Sequence, residues 1–323
     1  MSMNWTTQSG YLTNNQLDKT FQKAAQPLLR FRQFVSLKEA FGTQKGQTVN
    51  WLRVANLSTI GGLLSETATM NESRQALSWG TLTVSEYGNS IPFTGKIESL
   101  SEFDIKEIIR EGLLDDMVKV MDGEVERQFN QTPLRYVGTS ATGYALTTNG
   151  TATATNTSVL NKYHVKNIID ELTGRNVPGW DKADGDYVCI GSPLALRGIR
   201  DDLESINQYT GIGVQKVWNR EIGRYYNCRF VEDTFASKFL YNSTARTSAA
   251  KTWPAASLSM DAYFFGPGTV REAIVEPEHI RVKIPTDFGR SKGIGWYMLG
   301  GWKIDREDEP NARIIKWDSA GAA

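Results

Sequence analysis

Between Ser101 and Asn130 the sequence keeps one helical phase for about thirty residues, and no other stretch restricts the fold as much. Ile105, Ile108, Ile109, Leu113, Met117, Met121, Val125 and Phe129 recur at i, i+3, i+4 and i+7. That spacing lines them along one face of a 3.6-residue helix. Ser101 with Asp104 three residues on has the form of a capping box, so the helix is expected to begin there. Thirty residues at 1.5 Å each make a rod of about 45 Å, about three times a common helix in length. A rod of this kind crosses a subunit from one side to the other. A coiled coil would need a second long heptad segment, and the sequence has none.

The segment before this helix reads as a long hairpin with almost no core of its own. Residues 48–54 (Thr-Val-Asn-Trp-Leu-Arg-Val) and 77–87 have the β-branched and aromatic content of strands. Across Gly80 the apolar phase moves from Leu77 and Trp79 to Leu82 and Val84, which predicts a β-bulge. Between the strands lie over twenty Ser-, Thr-, Asn- and Gly-rich residues carrying Ile60, Leu63 and Leu64. Structureless loops of that length are uncommon in compact domains and are usually functional. Apolar side chains on one are a liability in a monomer, so they are expected to dock on another chain. A third strand is expected at 91–97, at a sheet edge because of Pro92.

Upstream, residues 1–45 read as an arm with one helix (Leu17, Phe21, Ala24, Leu28) that Pro27 bends or ends. Trp5 and Tyr11 sit among polar residues and need a burial site, on a neighbouring subunit or on the chain's own body. Downstream, the small polar residues of 138–158 suggest a surface loop or mobile ribbon. A helix is expected over about 159–173, with Gly174 as its stop. Tyr187 to Ile190 forms a short buried strand, followed by Ser192-Pro193 opening a helix with Leu196, Ile199, Leu203 and Ile206. The last sixty residues alternate as strands around Ile280–Ile284, Ile294–Ile304 and Ile314–Trp317. The long helix and these late strands are expected to pack together, with 158–262 inserted as a mixed α/β module.

Several function classes have no support. Thirty-six basic and thirty-six acidic residues leave zero net charge, against the basic balance of proteins that grip nucleic acid. His164 and His279 lack metal-ligand spacing and are expected on a surface or helix face. Cys189 and Cys228 read as two small buried hydrophobes. Asp115-Asp116, Asp201-Asp202 and Glu307-Asp308-Glu309 read as solvated faces rather than cation sites. The glycine pairs at 211/213 and 293/295 complete no phosphate loop. No signal-peptide pattern or apolar run of about 18 residues is present. The expectation is a soluble, cytosol-made protein that is not an enzyme and holds no cofactor and no metal.

The order of elements resembles that of HK97-fold major capsid proteins of tailed bacteriophages, an α+β fold, and most closely the N4-like podophage branch. The resemblance rests on the arm with Leu17 and Phe21 and on the loop entered through Gly46-Gln47-Thr48-Val49. It rests also on the helix at 101–130, Val188-Cys189-Ile190-Gly191-Ser192-Pro193, the segment Gly223 to Val231, and Tyr263-Phe264-Phe265-Gly266-Pro267. It implies an N-terminal arm (1–45), an E-loop (46–91), a first P-domain part with the spine helix (92–157), an A-domain (158–262) and a second P-domain part (263–323). It further implies a virion subunit, assembled in the bacterial cytoplasm into pentamers and hexamers of an icosahedral shell around a genome. Trp5, Tyr11, Ile60, Leu63 and Leu64 are the expected interface residues. Its partners would be copies of itself, then portal, scaffold or decoration proteins, and packaged DNA held without sequence reading, with no membrane. An encapsulin-type nanocompartment shell shares the fold and is the alternative; a β-rich phage adhesion component fits the long helix poorly.

Overall fold

The long helix forms, but it starts later than the capping box implies. The computed structural model describes residues 30–38, 46–55, 57, 62–64, 66, 69–70, 72–180, 185–207, 224–234, 239–242, 247–250, 261–307 and 309–319. Residues expected to extend a strand to 97 instead form a short helix, α1 (Gly95–Leu100). Ser101 ends that helix, and its hydroxyl accepts from the backbone N–H of Phe103 at 3.1 Å. Asp104 is the true cap of α2 (Ile105–Phe129), its carboxylate accepting from Lys106 N at 2.9 Å and Glu107 N at 3.4 Å. An ionised acceptor suits a helix N-terminus better than a hydroxyl, because it also meets the positive end of the dipole. Twenty-five residues give a rod of about 37 Å.

Two more helices follow, α3 (Lys162–Gly174) and α4 (Arg197–Asn207). The strands among the described residues are β1 (Ser36–Lys38), β2 (Thr48–Val54), β3 (Leu77–Thr83), β4 (Ser85–Thr94), β5 (Leu134–Gly138), β6 (Tyr144–Thr147), β7 (Tyr187–Gly191), β8 (Arg224–Tyr225), β9 (Cys228–Glu232), β10 (Phe239–Asn242), β11 (Thr247–Ala250), β12 (Ala262–Phe265), β13 (Val270–Val282), β14 (Ser291–Ile304) and β15 (Ile314–Trp317). They pair as a four-stranded sheet in the order β1-β13-β14-β4, a seven-stranded sheet β6-β5-β15-β12-β7-β9-β8, and the ribbons β2-β3 and β10-β11. Strands from both sides of residues 158 and 262 therefore share the seven-stranded sheet. Pro92 lies in β4, an edge strand as expected, where a missing N–H costs no ladder bond.

The core is built around α2. Ile294, Trp296 and Met298 of β14 meet Ile109, Leu113 and Met121, and the same cluster takes in Val188, Ile190, Tyr263 and Phe265. The alternate residues Cys189, Phe264, Ile315 and Trp317 turn to the opposite face, against Val165, Ile168, Ile169 and Leu172 of α3 and Leu196 and Ile199. Period-two alternation thus gives β7, β12 and β15 apolar neighbours on both faces, which is why they read as unbroken apolar runs.

In its first half α2 buries one stripe; from Val120 onward it is covered on nearly every side, including Asp122, Glu124, Glu126 and Gln128. The stretch 138–158, expected to be loose, is tied down. Its β6 pairs with β5, and the Asn156 amide, 1 % exposed, donates to the carbonyl of Asp318 at 3.0 Å. Short polar side chains can satisfy buried backbone as well as meet water, so composition alone misplaces them.

Candidate assembly surfaces

The β2-β3 ribbon does have a core at its root. Its register runs unbroken from Thr48 opposite Thr83 to Val54 opposite Leu77, so there is no bulge at Gly80. Gly80 lies opposite Trp51, and a Cβ there would overlap the indole. Val49, Trp51, Leu82 and Val84 are buried against Ala273, with Val275 and Leu299 packed beside them. The Trp51 indole N–H donates to Asp305 Oδ1. The guanidinium groups of Arg53 and Arg271 lie 5.5 and 5.0 Å from the indole centroid, in cation–π range. The phase change across Gly80 therefore marks which face is covered.

The outer face of the same ribbon is uncovered. Leu52 is 48 % exposed, Val54 50 %, Leu77 59 % and Trp79 66 %. The register sets Leu52 opposite Trp79 and Val54 opposite Leu77, which makes one contiguous patch. Beyond it the connection continues apolar and exposed, with Leu57, Leu63, Leu64 and Met70; Leu63 is fully exposed. Of the residues expected at an interface, Leu63 and Leu64 are accessible. Ile60, Trp5 and Tyr11 lie outside the described residues, as do Leu17 and Phe21.

A second apolar end was not anticipated. Val282, Ile284 and Phe288 are strongly exposed where β13 turns into β14. Asp287 and Phe288 both have positive φ, 54° and 53°, followed by Gly289 at 86°. A bulky residue in that region is uncommon and sets the direction of its side chain. The sequence signal was Ile284 carrying the alternation of Ile280 and Val282 past the strand.

The segment Arg30 to Arg32 is pinned to the end of α2. Phe31 is buried, its ring 5.4 Å from Phe129 and 5.7 Å from Tyr263. The N–H of Arg32 donates to Asp122 Oδ1 and that of Arg30 to Asp233 Oδ2, both at 2.9 Å. The Arg32 guanidinium reaches Glu272 at 3.0 Å and Glu278 at 2.9 Å. Burial, and then the charge of Asp233, push the Asp122 carboxyl up to about 7, against the pull of the donating backbone N–H groups. None of this was legible beforehand, because a helical acid reads as solvated.

His164 corrects another expectation. It lies on α3 but is fully buried, 3.1 Å from the Tyr136 hydroxyl and 3.1 Å from the carbonyl of Ser140. Burial lowers its pKa, which keeps the imidazole neutral. His279 is half-buried and pairs with Glu276 at 3.4 Å. Cys189 and Cys228 are buried and free, and burial raises the Cys189 thiol well above its ordinary value. Asp116 is not simply solvated: it accepts from Asn89 and from the Trp296 indole. Asp202 accepts from Lys162 N. Among the described residues no three His, Cys, Asp or Glu side chains converge on a point, and no helix is long and apolar enough to cross a membrane.

No family model and no curated protein sequence matches the chain. Solved structures do. The chain is similar to the capsid structure of cyanophage P-SCSP1u, with a TM-score of 0.67 at 12 % identity over 98 % of this chain and 94 % of that one. It is similar to the acid-stable capsid structure of Helicobacter pylori bacteriophage KHP30, with a TM-score of 0.67 at 14 % identity over 98 % of both chains. The capsid of Ralstonia phage GP4 gives 0.65 at 14 % identity over 96 % of both. The chain therefore has the fold of bacteriophage capsid subunits. The likeness extends along nearly the whole chain rather than through one domain.

Proposed function

We propose that the chain is a major capsid protein of a tailed bacteriophage, a non-catalytic shell subunit built on the HK97 fold. In this reading α2 is the spine and residues 46–91, with the β2-β3 ribbon, are the E-loop. The arm is 1–45, the P-domain 92–157 with 263–323, and the A-domain 158–262. The N4-like branch remains the nearest sequence resemblance. The subunit assembles in the bacterial cytoplasm, as hexamers and pentamers, into a virion shell around DNA. Portal, scaffold and decoration proteins are the further partners.

The observation that carries this reading is the uncovered outer face of a ribbon whose inner face is packed. Leu52, Val54, Leu77 and Trp79 run on to Leu63 and Leu64, and no residue of the described body covers them. A protein that stayed alone would present a solubility hazard there. Copies joined through heterologous contacts close into a shell.

Negative-stain microscopy of the expressed chain tests it. Hollow particles or rings are expected, and a strict monomer at all salt and protein concentrations would refute it. Protein cargo in place of DNA would move the assignment to a nanocompartment. Replacing Leu63→Asp and Leu64→Asp together should abolish particles while the unassembled chain keeps its Tm. A matching loss of Tm would place the loop in the subunit's own core.

A further inference from the structure

Where the loop end of the ribbon meets the end of α3 there is a cleft of about 410 Å³, lined by Val54, Arg175, Asn176, Arg306, Asn311 and Arg313 among others. Beneath it lies Asp305, 3 % exposed. One carboxylate serves three guanidinium groups, with Arg271 Nε at 3.1 Å, Arg53 Nε at 3.6 Å and Arg306 Nε at 4.0 Å. Arg313 adds a fourth positive charge. The carboxylate acting on it is the same Asp305, while Arg306 and Arg271 repel it. Burial and that repulsion lower its pKa.

The other acids described at the rim are occupied. Glu171 holds Arg175 at 2.7 Å and Glu307 holds Lys303 at 2.8 Å. The carbonyls at the end of α3 are satisfied by the chain itself, Arg175 N donating to Glu171, Asn176 N to Thr173 and Val177 N to Leu172. Meanwhile Nη2 of Arg53 is buried without a hydrogen-bond partner, and Nε of Arg53 and of Arg306 reach Asp305 only at ion-pair distance, too far to hydrogen-bond. Arg53 is itself 8 % exposed. Buried donors without acceptors are costly, and like charges in a cleft more so.

We propose that this cleft is an oxyanion-binding site, taking a phosphate or carboxylate group between Arg306 and Arg313. The planar guanidinium fork presents parallel N–H donors that match two oxygens of such a group. The Asn176 and Asn311 side-chain amides border the same space and can donate to a third oxygen. A bound oxyanion offsets the positive charge of the described lining and links the loop end of the ribbon to α3. The site does not depend on shell formation. A chain that stayed monomeric yet bound the anion would overturn the proposed function and leave the site standing.

The test is calorimetric titration of the unassembled full-length chain with inorganic phosphate, at ionic strength held constant with sodium chloride. One phosphate per chain is expected, with Arg313→Gln and Arg306→Gln each weakening binding at least tenfold and Arg110→Gln, on the exposed side of α2, leaving it unchanged. Arg313→Gln should not lower Tm in phosphate-free buffer, since that arginine gives up repulsion rather than a carboxylate of its own. Repeating the titration on assembled particles separates the sources. Retained binding identifies a free ion as the ligand; lost binding identifies an acidic group of a second copy seated in the cleft. Absence of phosphate binding to the unassembled chain, or equal binding by Arg313→Gln and Arg306→Gln, overturns the proposal.

Discussion

The substitution Asp122→Asn should make the chain's stability less sensitive to a rise in pH from about 5 to 8. The Asp122 carboxyl is 3 % exposed and faces Asp233, 1 % exposed, while both accept backbone N–H groups of the entering arm. Its pKa rises from an ordinary 3.8 to about 7 in the folded chain, through burial first and Asp233 second. A folded pKa above the unfolded one means that protonation favours folding. The contribution is complete below pH 3.8 and is lost as pH rises through 7. Between about pH 5 and pH 7 the unfolded chain has released this proton and the folded chain has not. At about 1.36 kcal/mol per unit, the wild type loses about 2–3 kcal/mol over that interval and little more above it. The substituted amide cannot ionise, and its side-chain oxygen still accepts from Arg32. The stability difference between variant and wild type should therefore grow by about 2–3 kcal/mol in the variant's favour from about pH 5 to pH 8. Urea unfolding of the unassembled chain followed by tryptophan fluorescence measures it, and an unchanged m-value keeps the comparison valid. Titrations of groups that do not interact with Asp122 cancel in the difference. A flat difference across pH, or one that shrinks as pH rises, refutes the raised pKa of Asp122 beneath Arg32.

Gly80→Ala should cost about 1–3 kcal/mol, because its methyl group must displace the Trp51 indole; a variant as stable as wild type would mean that the ribbon root is not packed as described. Cys189 and Cys228 should stay unreactive toward a thiol reagent at neutral pH until the chain unfolds, since both are buried out of a reagent's reach; prompt modification in the native chain would contradict their burial. Phe288→Ser should leave the unassembled chain within about 0.5 kcal/mol of wild type, as a fully exposed position does. Under the shell reading it should also weaken assembly, and intact particles at wild-type yield would remove the β13-β14 end from the contact set.

The parts of the fold that were legible in the sequence are those where a single neighbour determines burial. The stripe on α2 is one, because one face meets the core through Ile105, Ile109 and Leu113. The late strands are another, since their apolar side chains alternate against that helix. Pro92 announced an edge because its missing N–H forbids a central position. Legibility failed where burial depends on distant residues. Nothing local separates Asp122, which accepts from an arm ninety positions earlier, from Asp115 two turns before it, which is only half-buried. His164 became a core residue because Tyr136 and Ser140 arrive from other parts of the chain to bond it. The exposure of Leu63 and Leu64 was legible because apolar side chains in a polar loop have no local partner. Phe288 was missed because a lone aromatic in a turn carries no periodic signal.

The two faces of the β2-β3 ribbon make the strongest case for association. Val49 and Trp51 alternate with Leu52 and Val54 on one strand, and Leu82 with Leu77 and Trp79 across the other. The outer face is apolar only at its loop end, through Leu52, Val54, Leu77 and Trp79, while Thr48, Asn50, Thr81 and Thr83 make its other end polar; only the inner face has β13 and β14 beneath it. Among the described residues nothing covers the outer apolar side chains, and an exposed apolar cluster of this kind marks a contact surface. Four half-exposed side chains fall well short of the roughly 800 Å² per partner that a specific interface buries. The outer face alone therefore cannot hold two copies together. The apolar tip at Leu63 and Leu64 and the separate end at Ile284 and Phe288 supply further area at other points of the subunit. Several small contacts to different neighbours, each weak alone, are what a closing lattice requires, because simultaneous engagement multiplies modest affinities. A single tight dimer would instead concentrate its apolar surface on one self-complementary patch. The dispersal of exposed apolar residues over separate ends thus favours a many-contact assembly over a dimer.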